Sequence, residues 1–488
     1  LIDTSSSFSD AQEVDAMPFP TLARPALAMS IDQTSRRQFL IGAAGFAGLT
    51  MPAILRAEGA AGRGTSRKSV IQVHLDGGPP QLDTIDLKPL APSEIRGEFQ
   101  PIETAVRGLQ ICELMPRLAK LADRATWIRS LVGSAGAHDA FQCQSGFSAK
   151  DLQSLGGRPA LGSVVSKLQG STADATPPFV DLMQGRPLVR NSARPGFLGP
   201  AHQPFRPDLS QVFPRELEAG MKGELRRLGG ERQVSLTLHA ELTTERLNDR
   251  RGLLDALDGL QREIDGSGMM SAMDRFTEQA ASILTSGELA RALDFSQEDP
   301  RTLDRYFLAD TTAELRNTTS EAPGATRKFL LARRLIEAGV RCVSLSLSDF
   351  DTHSNNFPRL RNLLPILDVG LAGLIQDLEE RGMLQDTLIV VWGEFGRTPR
   401  IDPKTGGRHH WPQVGPALLI GGDFRQGQVI GATDHTASAV RERPISYQDV
   451  FATVYSHLGI DPQQATVTDP QGRPQHLVSG GHVLRELL

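Results

Sequence analysis

Leu388-Ile389-Val390-Val391-Trp392-Gly393-Glu394-Phe395-Gly396-Arg397-Thr398-Pro399 is the stretch on which the fold turns. Its first five residues are all apolar, β-branched at the centre, and too few for a buried helix, so they read as a strand covered on both faces. Upstream, Leu367, Leu371, Leu374, Ile375 and Leu378 fall at i, i+4, i+7, i+8 and i+11, an amphipathic helix closed by Gly382. Before it, Phe329, Leu330, Leu335 and Ile336 give a helix stopped by Gly339, and Val340 to Leu347 gives a strand. Strands alternating with helices predict an α/β fold, a mostly parallel sheet flanked by helices. Further strands are Ser69 to Leu75, bounded by Gly77-Gly78-Pro79-Pro80, and Ala417 to Ile420. Residues 114–131 read as a helix followed by a strand from Ala125 to Leu131.

Around this core the chain changes character. It has 488 residues, 39% hydrophobic and 22% charged, which supplies a core and excludes a wholly disordered chain. The net charge of −5 lacks the basic excess of a general nucleic-acid binder. Three cysteines, Cys112, Cys143 and Cys342, are too few for a disulfide framework and lack zinc-finger spacing. Residues 177–213 are rich in Pro and Gly and read as irregular. Residues 214–316 carry Leu225, Leu228, Leu236, Leu253, Leu254, Leu257, Leu260 and Ile264 among many charges, a helix-rich insertion with a solvated face.

Residues 1–60 read as an address, with Met29 a candidate start. Ser35-Arg36-Arg37-Gln38-Phe39-Leu40 precedes an uncharged Gly/Ala-rich run to Leu55, with Ala57 and Ala60 as small cleavage-site residues. Paired arginines before a weakly apolar segment are the pattern of a twin-arginine export signal. The run is short for the roughly 20 apolar residues of a membrane span. The expected location is periplasmic or extracellular, with the export machinery as a partner and no stable span.

The chemistry is expected where strands end, because ligands in open parallel sheets bind beyond the strands' carboxyl ends. The first strand leads to Asp83 and Asp86. A second ends in Asp349-Phe350-Asp351-Thr352-His353, a third in Glu394, and Arg408-His409-His410-Trp411-Pro412 lies close in sequence. Crowded carboxylates repel unless a cation intervenes. Mixed oxygen and imidazole donors suit zinc, manganese or iron; an oxygen-dominated subset suits magnesium or calcium. Asp83, Asp351, His353, Glu394 and His410 are the expected ligands, with Asp349 and Asp86 in reserve and His435 a weak extra. Taken singly, each has a plainer role: Asp83 or Asp86 as a helix cap, Asp351 and His353 as a loop pair, Glu394 as the partner of Arg397.

These same residues carry a likeness. Gly77-Gly78-Pro79-x-Gln81-Leu82-Asp83-Thr84-x-Asp86-x-Lys88-Pro89, Ile95-Arg96-Gly97-Glu98-Phe99, Leu331 to Val340, Asp351-Thr352-His353, Gly393 to Pro399 and Gly407-Arg408-x-His410-Trp411-Pro412 occur in order over residues 69–488. Together they resemble a bacterial family of exported proteins, number fifteen-oh-one among domains of unknown function. That family's fold is similar to the alkaline phosphatase and sulfatase superfamily, whose members bind one or two divalent metals. Pro80, Phe350 and His409 depart from the usual Ser, Trp and acid.

The resemblance implies a metal-dependent hydrolase ancestry and no particular substrate; the expected activity is hydrolysis of phosphate or sulfate esters on an anionic, polysaccharide-linked or other extracytoplasmic substrate. No C/S-x-P-x-R motif is present, which argues against a conventional sulfatase. Counting back from Ser145-Gly146, as in related phosphatases, lands on Gly136, which cannot attack; Ser134 and His138 flank it. His138 and Thr84 are the expected catalytic residues, and Arg397 and Arg408 the expected anion holders, since guanidinium matches phosphate and sulfate oxygens. The alternative is a catalytically degenerate binding or assembly protein on the same fold.

Overall fold

The computed structural model describes residues 68–138, 140–171, 173–183, 193–207, 209, 277–283, 286–309 and 321–488. By internal contacts the chain divides into Leu1–Thr65 and Ser66–Leu488, and the described residues belong to the second unit. The twin-arginine segment and the named leucines of the 214–316 stretch lie outside them.

Eight strands build one sheet: β1 (Ser69–Leu75), β2 (Ala125–Val132), β3 (Phe179–Leu182), β4 (Cys342–Leu347), β5 (Thr387–Trp392), β6 (Gly415–Gly421), β7 (Gln428–Ile430) and β8 (Ile445–Ser446). Their order is β7-β2-β6-β5-β1-β4-β3, with β8 also paired to β2. The pairs β1–β4, β1–β5, β3–β4, β2–β7 and β2–β8 are parallel; β6 alone runs antiparallel to both neighbours, β2 and β5.

Strand alternation divides the apolar side chains between two cores. Ile71, Val73, Leu75, Val343, Leu345, Leu347, Ile389 and Val391 face helices α2 (Arg327–Glu337) and α3 (Asn356–Glu380). Val70, Cys342, Leu388, Val390 and Trp392 face α1 (Leu161–Gln169) and α4 (Tyr447–His457). With both faces covered, the central strands have no solvent side, so β5 is apolar from Leu388 to Trp392 and the polar Gln72, His74, Ser344 and Ser346 of β1 and β4 are buried as well. Gly339 and Gly382 follow α2 and α3 with φ of 103° and 66°, backbone that glycine adopts without strain.

Three readings need correction. Residues 177–213 contain β3, four fully buried residues behind Pro177-Pro178; an edge strand this short tolerates flanking prolines, and composition hides it. The helix expected around Leu367 begins at Asn356 and carries Pro365 within it. The strand at Ala417 runs against the rest. Of the 214–316 stretch, the described part includes helices Glu288–Leu293 and Pro300–Arg305. The first touches α2, where buried Arg333 joins Glu298 (2.6 Å) and Asp377 (2.7 Å). The three cysteines are buried thiols with no disulfide among them.

Candidate metal centre

Five loops meet at one sheet edge, and the topology dictates it. β1, β4 and β5 end level, with Leu75 opposite Leu347 and His74 opposite Trp392. β2 points the same way and runs into the loop that holds His138. The reversed β6 begins at this edge, so the segment before it, His410–Trp411, pairs back onto Gly396–Arg397. Two glycines let these loops close. Gly77 and Gly78 have φ of 102° and 82°, and a Cβ on Gly77 would lie 2.3 Å from the Asp351 amide nitrogen.

The outer group is His138, Asp351, His353 and His410, half-buried, with one ligand atom from each within 4.8 Å of all the others. His353 Nε2 lies 3.0 Å from Asp351 Oδ1 and 3.0 Å from His410 Nε2. His410 Nε2 is 3.5 Å from Asp351 Oδ1, and His138 Nε2 is 3.1 Å from Asp351 Oδ2. Four donors arranged tetrahedrally at zinc-like bond lengths of roughly 2.0–2.1 Å stand about 3.3 Å apart, and these four separations lie on either side of that value. Burial works against ionisation of Asp351, but hydrogen bonds from His138, His410 and Arg397 outweigh it and hold the carboxyl far below its usual range. His353 is pushed down to about 4, first by burial and then by the charges of Arg397, His410 and His409 against the pull of Asp351. At neutral pH it is therefore an imidazole with a lone pair to give.

The inner group is His74, Asp76 and Glu394, all buried. Glu394 Oε1 accepts from the Gly77 amide (2.9 Å) and lies 3.1 Å from His138 Nδ1, so His138 joins the two groups. Glu394 Oε2 and both ring nitrogens of His74 are buried without a hydrogen-bond partner, although Oε2 and His74 Nε2 are 3.4 Å apart. Unsatisfied buried polar atoms are costly, and a cation is a partner that would satisfy a carboxylate and an imidazole together. Burial pushes the His74 pKa down against the pull of Glu394. Burial raises that of Glu394, yet hydrogen bonding from His138 and the charges of His74 and His138 keep it below its ordinary value.

Four residues expected at the site stand elsewhere. Asp83 and Arg408, both fully buried, pair with each other at 2.7 and 3.0 Å, and Asn356 Nδ2 donates to Asp83 at 2.9 Å. Arg408 also donates to the carbonyls of Ile95, Thr398 and Pro399. Thr84 is buried and its hydroxyl donates to the Pro80 carbonyl. Asp86 is engaged by Lys88 and Thr433. Arg397 does touch the outer group, 2.7 Å from Asp351 Oδ1, but it is fully buried and its other hydrogens go to the carbonyls of Gly77, Gly78 and Arg408. Asp349 and His435 are in neither group.

Asp76 and His74 escaped the sequence reading. Their signal was available, since Asp76 is the first residue beyond β1, nearer the strand end than Asp83. His409, exposed, reaches His353 Nδ1 at 2.9 Å and Asp402 at 3.2 Å, bracing the outer group from the solvent side.

A search of curated proteins gives no match. Among solved structures, the chain resembles a sulfatase from Pseudoalteromonas sp. at 11% identity, covering 84% of this chain and 71% of that one, with a TM-score of 0.35. The lipoteichoic acid synthase LtaP from Listeria monocytogenes aligns at 10% identity over 87% and 93%, TM-score 0.33. The phosphonate monoester hydrolase of Agrobacterium radiobacter aligns at 14% over 86% and 77%, TM-score 0.32. Likenesses this loose leave the chemistry to be read from the site's own residues. In sequence, the model of the family described as "Protein of unknown function (DUF1501)" matches residues 67–488, and the chain belongs to that family.

Proposed function

We propose that this protein is an exported, metal-dependent hydrolase of phosphate or sulfate esters. The observation that carries the reading is the outer group, in which three imidazoles and a carboxylate from three separate loops bring their ligand atoms within 4.8 Å of one another. His138, Asp351, His353 and His410 are assigned as its ligands, and His74, Asp76 and Glu394 as the donors of a second, deeper position. The mixed nitrogen and oxygen set favours zinc, manganese or iron over calcium or magnesium. A divalent cation held there would supply a water of lowered pKa and would stabilise charge growing on the ester's oxygens.

The chain's own residues set the stage for that chemistry. Asp351 keeps its charge and orients three imidazoles. Arg397 fixes the Asp351 carboxylate from below and braces the Gly77-Gly78 turn. His138 is assigned as a ligand because it belongs to the outer group, with Nε2 3.1 Å from Asp351 Oδ2 and Nδ1 3.1 Å from Glu394 Oε1. With Thr84 committed to the Pro80 carbonyl, the attacking group in this reading is water. That neither Thr84 nor His138 is assigned as a nucleophile is what favours the second reading, a binding or assembly protein without turnover. Export is supported by the Arg36-Arg37 pattern. No helix among the described residues is long and apolar enough to cross a membrane.

The test is metal analysis of purified protein together with a panel of aryl phosphates, phosphodiesters, aryl sulfates and sulfated or phosphorylated polysaccharides. Turnover that depends on metal and disappears in Asp351→Ala is the expected result. Stoichiometric metal without turnover on any member of the panel selects the binding reading.

A further inference from the structure

Three arginines touch the segment that carries Asp351, and two of them have no capacity left for a ligand. Arg397 and Arg408 are fully buried and committed to carbonyls, to Asp351 and to Asp83. The third, Arg359, on the second turn of α3, is different. Its Nη1 makes one long hydrogen bond, 3.4 Å, to the Asp351 carbonyl, and its Nε is buried with no hydrogen-bond partner. Among the described residues no carboxylate pairs with it. The residue is half-buried, and its guanidinium reaches the backbone of the loop that carries Asp351 and His353, partly dehydrated and, among the described residues, without a carboxylate partner. A guanidinium in that condition has unmet donors in the planar fork that matches an oxyanion.

We infer that Arg359 is the anion-recognition residue of this site and takes two oxygens of a tetrahedral oxyanion, the phosphate or sulfate group of a substrate or of free phosphate or sulfate. The inference deepens the reading above, because it places the substrate's negative charge between Arg359 and the cation ligands. It moves that role from Arg397 and Arg408, whose hydrogen bonds hold loops together, to a residue whose hydrogen bonds are still to be made. The site then selects esters that keep at least one negative charge. A neutral carboxylic ester offers Arg359 no negative charge and no pair of anionic oxygens.

The experiment is calorimetric titration of inorganic phosphate and inorganic sulfate into the full chain, as wild type, Arg359→Gln and Arg359→Lys, each with and without added zinc or manganese. Metal content is measured on the same samples. Loss of a charge-assisted bidentate contact is expected to weaken oxyanion affinity about tenfold or more in Arg359→Gln, with partial recovery in Arg359→Lys and unchanged metal content. Unfolding midpoints equal to wild type show that the variants are folded. Equal oxyanion affinity in wild type and Arg359→Gln overturns the assignment while leaving the metal reading standing, and so does a wild type that binds neither anion. Arg359-dependent binding in a protein that takes up no metal supports the assignment and removes the metal reading.

Discussion

Replacing Asp83 by alanine separates a structural carboxylate from a metal-binding one. Asp83 and Arg408 are both 0% exposed and meet through two hydrogen bonds, 2.7 and 3.0 Å, while Asn356 donates to the same carboxylate. Removing the carboxylate strands a guanidinium in the interior, which costs about 3–5 kcal/mol. Set against a total stability of about 5–15 kcal/mol for a domain, that is a large share. Asp83→Asn keeps an acceptor in place and is expected to lose about 1–3 kcal/mol. Equilibrium urea unfolding followed by fluorescence of Trp127, Trp392 and Trp411 reads the loss, with metal content measured on the folded protein. The expected pattern is a lowered midpoint for both variants, larger for Asp83→Ala, with Asp83→Asn retaining wild-type metal content. Arg408 also anchors the carbonyls of Thr398 and Pro399, so Asp83→Ala is expected to loosen the hairpin that carries His410. A variant with the wild-type midpoint that has lost its metal would refute the reasoning and return Asp83 to the ligand set.

Gly77→Ala is expected to destabilise the fold by at least about 2 kcal/mol and to weaken metal retention, since φ is 102° and the new Cβ would sit 2.3 Å from the Asp351 nitrogen; differential scanning calorimetry with metal analysis checks both. Asp368 gives a pH signature. Burial pushes its carboxyl up to about 6, despite hydrogen bonds from the Leu118 (2.7 Å) and Arg117 (3.1 Å) amides. Between its unfolded value near 4 and that folded value the native state holds the extra proton, so this group's contribution to stability falls as pH rises through the window. Relative to Asp368→Asn, the wild type is expected to lose about 2 kcal/mol between pH 4 and 6, measured by urea midpoints; a flat difference contradicts it.

The fold was most legible at β5, where Leu388 to Trp392 is apolar throughout, and in β1 and β4 the β-branched and aliphatic residues Ile71, Val73, Val343 and Leu345 carried the strand signal although Gln72, His74, Ser344 and Ser346 alternate with them. Direction was not legible at β6. An apolar run such as Ala417-Leu418-Leu419-Ile420 reads the same whichever way it runs, and only the pairing with β5 settles it. The site was legible to the extent that strand ends deliver side chains to one edge, which is how Asp351, His353, Glu394 and His410 drew attention. Asp83 drew attention for the same reason and lies apart, because the Gly77–Pro80 turn carries the chain past the edge before Asp83 is reached. Its partner Arg408 lies 325 residues away, and no local pattern announces such a pairing. His74 was passed over because one histidine within a strand resembles any other buried polar residue until its neighbours across the sheet are known.

The most direct test of the whole account is the metal stoichiometry of the purified wild-type chain beside His353→Ala and Asp351→Ala, measured by mass spectrometry of the elements after reconstitution with zinc, manganese or iron. At least one equivalent of a divalent cation per wild-type chain, sharply reduced in both variants while their unfolding is still cooperative, is the result expected. A wild-type chain that retains no cation under any of these conditions would contradict the account at its root.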